Sequence, residues 1–528
     1  MGRNILIGGA WPYANSDLHL GHIAGLVSGD ILARYFRLQG CNVMFVSGTD
    51  CHGTPITERA KREKKSPKDI ADYYDKRDRE TLEKFDFSYD LYTNTDTDFH
   101  KQKVMEMFKK MYDNGYIYEK IEPQAYCNHC QKFLSDRELE ITCPKCGQTT
   151  KAEQCDNCQY VPTIEDMKDG ICLECKEKVV LKDNKNLYLA LSKFQKDIEE
   201  YVAKNNTLWR VNAKNETNKY LKQGLVDRAV TRDLDWGVDI PVPGYESKKM
   251  YVWIEAVLGY ITATMKKCEE LGTNWEEFWK EEYHPTIYMV HGKDNIVFHS
   301  IIFNSLLLAM KENYHLVNTI VSSEYLNIND EKISKSKGNG IPAIELVEKY
   351  GPDALRFYLI NNGPEKKDAN FTIDALVAIN NGELLNKFGN LVNRTLKFKE
   401  LEEIPDGKLD STIKEKIEET YKLVGENIEK LEFKQATEIA MELVETANKY
   451  YDEQKPWVQK KENIQEFNNT IYTCAVIIAN LANIFEPFMP SASAKIRKYL
   501  NIQEKSWKLI EPAIGLKLEN IEPLFTRI

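Results

Sequence analysis

Eight cysteines crowd into one short window as four Cys-x-x-Cys pairs: Cys127/Cys130, Cys143/Cys146, Cys155/Cys158 and Cys172/Cys175. Each pair is a tight turn that offers half of a tetrahedral metal site. In a long chain whose first ten residues lack a basic-then-apolar leader, such pairs read as metal ligands rather than disulfides. One or two closed, structural Cys₄ zinc sites are therefore expected. Two pairings are open. In the nested one, Cys143, Cys146, Cys155 and Cys158 share an ion and Cys127, Cys130, Cys172 and Cys175 close around another. The sequential one joins the first two pairs. The short separation of the inner pairs favours nesting. Cys41, Cys51, Cys268 and Cys474 have no such neighbour and read as free thiols.

A chain of 528 residues exceeds what one hydrophobic core supports. Ile5-Leu6-Ile7 reads as a short buried strand ended by Gly8-Gly9, roughly residues 22–38 as a helix, and residues 42–47 (NVMFVS) as the next strand, before the turn Gly48-Thr49-Asp50. Such alternation favours a doubly wound parallel sheet with ligands at the strands' carboxyl ends. From about residue 118 to 187 the composition shifts to Cys, Lys, Asp and Gly, an insertion stitched by metal. The α/β pattern returns near residues 250–260 and 286–290. Beyond about Phe371 the chain reads as helical, with apolar residues at helical spacing in 436–450 and no glycine between Gly425 and Gly515.

The net charge of −10 argues against broad electrostatic binding to nucleic acid, though not against local basic patches. The most apolar stretch, 471–485, is broken by Asn480 and Asn483 and is too short to span a bilayer. No membrane association and a cytoplasmic location are expected.

Two motifs carry chemistry. Ala10-Trp11-Pro12-Tyr13-Ala14-Asn15 leads to His19-Leu20-Gly21-His22, which puts two imidazoles on a strand-to-helix turn whose amides attract phosphate. Gly21 lets a base or ribose approach the backbone. Much later, KISKSKG from Lys332 offers three lysines and two hydroxyls, suited to a triphosphate and a departing pyrophosphate. Taken singly, these are loop histidines and a solvated basic loop. In this order, with a helical region behind them, they resemble the two signatures of the class I aminoacyl-tRNA synthetases, and most closely those of the methionyl enzymes. The likeness runs over nearly the whole chain. Ile333 stands where many relatives carry Met.

The resemblance implies an α/β, doubly wound Rossmann-like sheet with a zinc-binding insertion, followed by an all-α anticodon-binding bundle. Its divisions are 1–117, first half of the catalytic domain; 118–230, connective insertion; 231–325, second half; 326–375, KISKS loop and stem-contact region; and 376–528, the helical domain. It implies activation of L-methionine by ATP and transfer to the 3′ end of tRNA(Met), initiator tRNA included, with Mg²⁺ accompanying ATP. His19 and His22 fall to the α-phosphate and Lys335 to pyrophosphate. Pro12, Tyr13, Gly21, Gly292, Asp294, Lys332, Ser334 and Ser336 complete the ATP site. Asp50 matches the carboxylate that holds the substrate ammonium. Trp253, Ala256, Tyr260, Asn295 and His299, with Ala10, Trp11 and Tyr13, match the side-chain pocket. Trp11 and Val257 depart from the Leu and Pro common there, which bears on pocket shape. Asn390, Arg394 and Trp457 match residues that read an unstacked anticodon. The chain ends at Ile528 without an appended OB-fold, so a monomer is expected. Another class I synthetase would differ at Asp50, Trp253 and Tyr260, a small-molecule nucleotidyltransferase would need neither insertion nor helical tail, and an inactive tRNA-binding module would keep the fold alone.

Overall fold

The computed structural model describes residues 2–136, 138–152, 155, 157, 158, 160, 162–328, 331, 332 and 341–528. Five parallel strands form the central sheet: β1 (Asn4–Gly9), β2 (Asn42–Thr49), β3 (Leu91–Asn94), β6 (Thr286–Gly292) and β7 (Thr319–Ser323), in the order β7-β6-β1-β2-β3. Ile5 and Ile7 of β1 enter the core on one face and Leu6 the core on the other, as strand alternation requires. Both faces are covered, hence the unbroken apolar run. The chain leaves β1 outward through β2 and β3 and returns on its other side through β6 and β7. Between β1 and β6 the winding reverses, and a crevice opens there at the carboxyl ends.

Helix α1 (Leu20–Leu38) follows β1, and α2 (Asp98–Asp113) follows β3. Strands β4 (Ile117–Cys127) and β5 (Val180–Leu189) form a long antiparallel arm, with Ile117 opposite Leu189 and Tyr126 opposite Val180. At its far end Ala125, Leu139, Ile141, Met167 and Val179 make a small separate core. The apolar residues after the arm, Leu191, Trp209, Leu221 and Val230 among them, pack instead into the core beneath the sheet with Met44 and Ile254.

Helix α3 (Val252–Leu271) precedes β6, and α4 (Pro352–Asn362) follows β7. Then come α5 (Asn390–Leu396), α6 (Ser411–Glu429), α7 (Phe433–Gln454), α8 (Pro456–Glu462), α9 (Ile464–Ile484) and α10 (Pro490–Tyr499). Their apolar faces do not close on themselves alone. One continuous core runs from Ile5 and Phe36 through Phe357 to Phe388, Ile477 and Phe485.

A buried ionic network pins this junction. Asp30 of α1 accepts from Arg34 Nε at 2.8 Å, Arg356 Nη2 at 2.7 Å and the Ser88 backbone N–H at 2.7 Å. Arg356, fully buried on α4, also donates to the carbonyls of Phe85, Pro487 and Phe488. Arg34 reaches Glu486 at 3.0 Å, and Glu486 also pairs with Arg497 of α10. The first signature helix, α4 and the C-terminal bundle are thus tied by charges that burial makes costly to separate.

Candidate active site

Helix α1 starts at Leu20, two residues before the expected start, because His19 is its cap. His19 Nδ1 accepts from Gly21 N–H at 3.1 Å, and His22 Nδ1 accepts from His19 N–H at 3.1 Å. The rings stack at 3.8 Å. With both Nδ1 atoms accepting, the proton of each neutral ring sits on Nε2, a donor at the positive end of a helix. Residues 333–340, which carry Ser334, Lys335 and Ser336, lie outside the described residues, as does the side chain of Lys332. The chain on either side is placed: Leu326–Ile328 pairs with Glu331–Lys332, and Ala343 N–H donates to the Leu18 carbonyl at 2.7 Å, next to His19.

Beside the histidines, the loop after β1 folds onto the end of β2. Asp50 N–H donates to the Pro12 carbonyl and Ala14 N–H to the Asp50 carbonyl, both at 2.8 Å. This fixes Tyr13 and Asp50 side by side in a cavity lined by Ala10, Trp11, Tyr13, Asp50, Trp253, Ala256, Val257, Tyr260, Asn295, Phe298 and His299. All nine residues expected for the amino-acid pocket meet there. Val257 and Phe298 join them; Phe298 has no motif of its own but precedes His299. The cavity has a volume of about 60 Å³.

One end of the cavity is ionic and the other apolar. Burial, and then the nearby Glu255 carboxylate, push the Asp50 carboxyl well above its usual range. An ammonium seated against it would reverse that shift. At the other end, His299 Nδ1–H donates to the Asn295 carbonyl at 2.8 Å, so its Nε2 accepts from the Tyr260 hydroxyl, also at 2.8 Å. Burial holds His299 down to about 4, so it stays neutral. His291 stacks on it at 4.3 Å. Trp253 lies over Phe298 at 3.8 Å and donates its Nε1–H to the Tyr13 hydroxyl. Trp11 fits because Gly48 and Gly259 flank it: a Cβ at either would come within 2.5 or 2.7 Å of the indole. An aromatic box with a polarizable, neutral floor suits an unbranched thioether.

A second cavity adjoins the first across Phe298, lined by Asn212, Tyr220, Lys293, Asp294, Glu324 and Tyr325 among others, at about 590 Å³. Asp294 accepts from the Tyr325 hydroxyl, and Lys293 bridges Glu324 and Asp368, each at 2.8 Å. Gly292, which ends β6, leads directly into this loop.

The cysteines form two groups of four, Cys127, Cys130, Cys172, Cys175 and Cys143, Cys146, Cys155, Cys158, which is the nested pairing. The Cys127–Cys175 and Cys130–Cys172 sulfurs are 3.4 and 3.9 Å apart, and Cys143–Cys158 and Cys146–Cys155 are each 3.6 Å apart. A disulfide needs about 2.05 Å. The edge of a tetrahedron with metal–sulfur bonds of about 2.3 Å is about 3.8 Å, so both groups have the dimensions of a closed metal site.

In the bundle, Arg394 lies over the Tyr451 ring at 4.1 Å and donates to Asp452 at 2.8 Å and to the Asn448 carbonyl at 2.7 Å. Trp457, on the first turn of α8, is 48% exposed and stands 6.2 Å from the same tyrosine. Asn390 is exposed one turn before Arg394. Tyr451, which the sequence did not single out, is the joint of this cluster. Among the described residues, no helix is long and apolar enough to cross a membrane.

Residues 5–396 match the family model for tRNA synthetases class I (M), and residues 403–522 match the anticodon binding domain of methionyl tRNA ligase. The chain is 44% identical over 529 residues to methionine--tRNA ligase 1 of Alkaliphilus oremlandii, covering 99% of this chain and 97% of that one. It is 45% identical over 532 residues to the methionine--tRNA ligase of Bacillus mycoides, with the same coverage. A crystal structure of Mycobacterium tuberculosis methionyl-tRNA synthetase bound by methionyl-adenylate shares the fold, with a TM-score of 0.82 at 23% identity over 99% of this chain and 100% of that one.

Proposed function

We infer the mechanism from one premise: the chain belongs to the methionyl family of class I tRNA synthetases. It activates L-methionine with ATP, giving methionyl-adenylate and pyrophosphate, and transfers the methionyl group to tRNA. The observation that carries the assignment of residues is the cavity itself, a buried carboxylate facing aromatic walls, beside two imidazoles at the reversal point of the sheet. Asp50 takes the ammonium, and Trp253, Ala256, Tyr260, Phe298 and His299 take the thioether. The second cavity, with Asp294, takes the adenosine.

The substrate carboxylate is already a nucleophile. One of its oxygens attacks the α-phosphorus, the bond to the pyrophosphate oxygen breaks, and pyrophosphate leaves with the electron pair. No protein nucleophile is required, so catalysis is positioning and charge stabilisation. The Nε2–H groups of His19 and His22 are donors for the α-phosphate oxygens. Lys335, with Lys332, Ser334 and Ser336, is assigned to the pyrophosphate on its motif. Mg²⁺ arriving with ATP would supply charge neutralisation at the phosphates. In exchange of labelled pyrophosphate into ATP, run with each of the twenty amino acids, methionine alone is expected to support turnover. Exchange driven by cysteine, valine or leucine in its place would overturn the assignment.

The two cysteine groups are assigned to zinc, whose closed thiolate sites hold the arm and take no part in the reaction. Two zinc ions per chain are expected by elemental analysis, and Cys143→Ser should remove one and spare the other. Loss of both, or of neither, would refute independent nested sites.

Asn390, Arg394 and Trp457 are assigned to the anticodon of tRNA(Met), the initiator included, in a cytoplasmic monomer. Stacking one base on an aromatic side chain contributes about 1–3 kcal/mol. Trp457→Ala is therefore expected to depress tRNA charging about tenfold or more while pyrophosphate exchange stays near normal, and Arg394→Ala likewise. If charging and exchange fall together, or neither falls, the residues are structural.

A further inference from the structure

Behind the amino-acid cavity lies a buried polar cluster that the mechanism above does not use. Glu255, on the first turn of α3 beside Trp253 and Ala256, is fully buried, and His52 and His100 are each 1% exposed. His52 Nδ1 lies 2.7 Å from Glu255 Oε1 and its Nε2 3.4 Å from Asp96 Oδ1. Both partners are carboxylates and can only accept, so both ring nitrogens carry protons. The other Glu255 oxygen accepts from His100 Nε2–H at 2.9 Å, and His100 Nδ1 meets the Thr262 hydroxyl at 2.9 Å. Trp236 stands edge-on to His52 at 5.3 Å and donates its Nε1–H to the Cys51 carbonyl at 2.7 Å. The cluster thus ties α3, the start of α2 and the loop after β2, three elements that bear on the cavity.

His52 reaches the site through its main chain: its backbone N–H donates to Asp50 Oδ1 at 3.3 Å. We propose that His52, held as an imidazolium between Glu255 and Asp96, is a positioning residue of methionine activation that lowers the cost of ionising Asp50 and aims its carboxylate at the substrate ammonium. This rests on the assignment of Asp50 to that ammonium. Two buried carboxylates, Asp50 and Glu255, stand within reach of one another with little solvent, and like charges so placed cannot both stay ionised without a counter-charge. His52 supplies it. The groups that face His52 are Glu255 from α3, Asp96 from the loop after β3, and Asp50 on its own loop. His100 stands across Glu255, Tyr13 across Asp50, and Lys68 and Lys101 behind Asp96. Burial works against the charge of His52, but Glu255 and the Asp96 hydrogen bond raise it to about 9. The same ion pair, with His100, keeps Glu255 below its usual range despite burial.

The test is methionine-dependent pyrophosphate exchange between pH 6.5 and 8.5 for the wild type, His52→Gln and Asp50→Asn. Without the imidazolium, the Asp50 carboxyl retains its proton further up the pH scale. A shift of one pH unit is about a tenfold loss of the ionised form. For His52→Gln the KM for methionine at pH 7 is expected to rise about tenfold, with the KM for ATP within about twofold of wild type. Methionine KM should recover progressively toward pH 8.5, which a misfolded pocket would not do. Asp50→Asn should lose methionine affinity at every pH. A normal methionine KM in Asp50→Asn would overturn the ammonium assignment. An impaired Asp50→Asn beside a normal or pH-independent His52→Gln would overturn the role of His52 alone. Nitrogen-15 spectra of histidine-labelled wild type give a readout free of any His52 variant, with the His52 ring identified by the shift Trp236→Phe imposes on it. An imidazolium at pH 8 is expected, and a neutral ring there would refute the proposal.

Discussion

His22→Ala is expected to slow methionyl-adenylate formation about a hundredfold or more, the usual cost of removing a donor that meets charge developing in the transition state. The KM values for ATP and methionine should change little, because the contact to the α-phosphate tightens only as the pentavalent species forms. The structure also predicts a smaller, separable effect. His22 Nδ1 accepts the His19 backbone N–H, so alanine strips the start of α1 of half of its reciprocal cap. A lost helix cap costs about 1 kcal/mol, too little to unfold the chain. Single-turnover exchange beside thermal unfolding separates the two. A near-normal rate would sink the catalytic assignment, and a rate loss that tracks loss of folded protein would make His22 structural.

The largest stability effect is expected at Asp30. Asp30→Asn removes the charge that faces Arg34 and the fully buried Arg356, leaving a guanidinium in the core without its counter-ion. Breaking one side of a buried ion pair costs about 3–5 kcal/mol. The urea midpoint should fall accordingly, and a midpoint within error of wild type would show that the network is neutral. The pH dependence has a definite sign. Burial opposes ionisation, yet the two arginines and Ser88 hold the Asp30 carboxyl well below its unfolded value of about 4. Its contribution is therefore complete above about pH 4 and is lost as the pH falls toward the folded value. Wild type should lose stability over that acidic range more steeply than Asp30→Asn.

How much of this was legible in the sequence depended on the range of the interactions. Strand β1, helix α1 and strand β2 announce themselves locally, through an apolar run, a glycine stop and a helical stripe. The true start of α1 lies two residues before the one its local pattern suggests, because imidazoles replace the Ser, Thr, Asp or Asn that usually signal a cap. The cysteine spacing favoured the pairing that the sulfur positions bear out. The nine pocket residues were legible only through resemblance, since no periodicity unites Trp11, Asp50 and His299. Glu255 lies 203 positions from His52 and 155 from His100, and Asp30 lies 326 from Arg356. Buried polar contacts over such distances leave no local pattern, and each residue alone reads as an ordinary charge on a helix or loop.

The continuous core from Ile5 to Phe485 means that this chain has no seam. A fragment ended after the sheet would bare Leu355 and Phe357 of α4 together with the charged face of Arg356, whose acceptors at Pro487 and Phe488 would be gone. The helical half, released alone, would lose the wall that α1 provides through Tyr35, which meets Glu429 and the Trp507 ring. Neither piece is a natural unit for expression or for exchange between relatives. The metal-bearing arm is the opposite case: its small core stands apart, joined by two strands, so grafting or deletion can reach it without opening the interior.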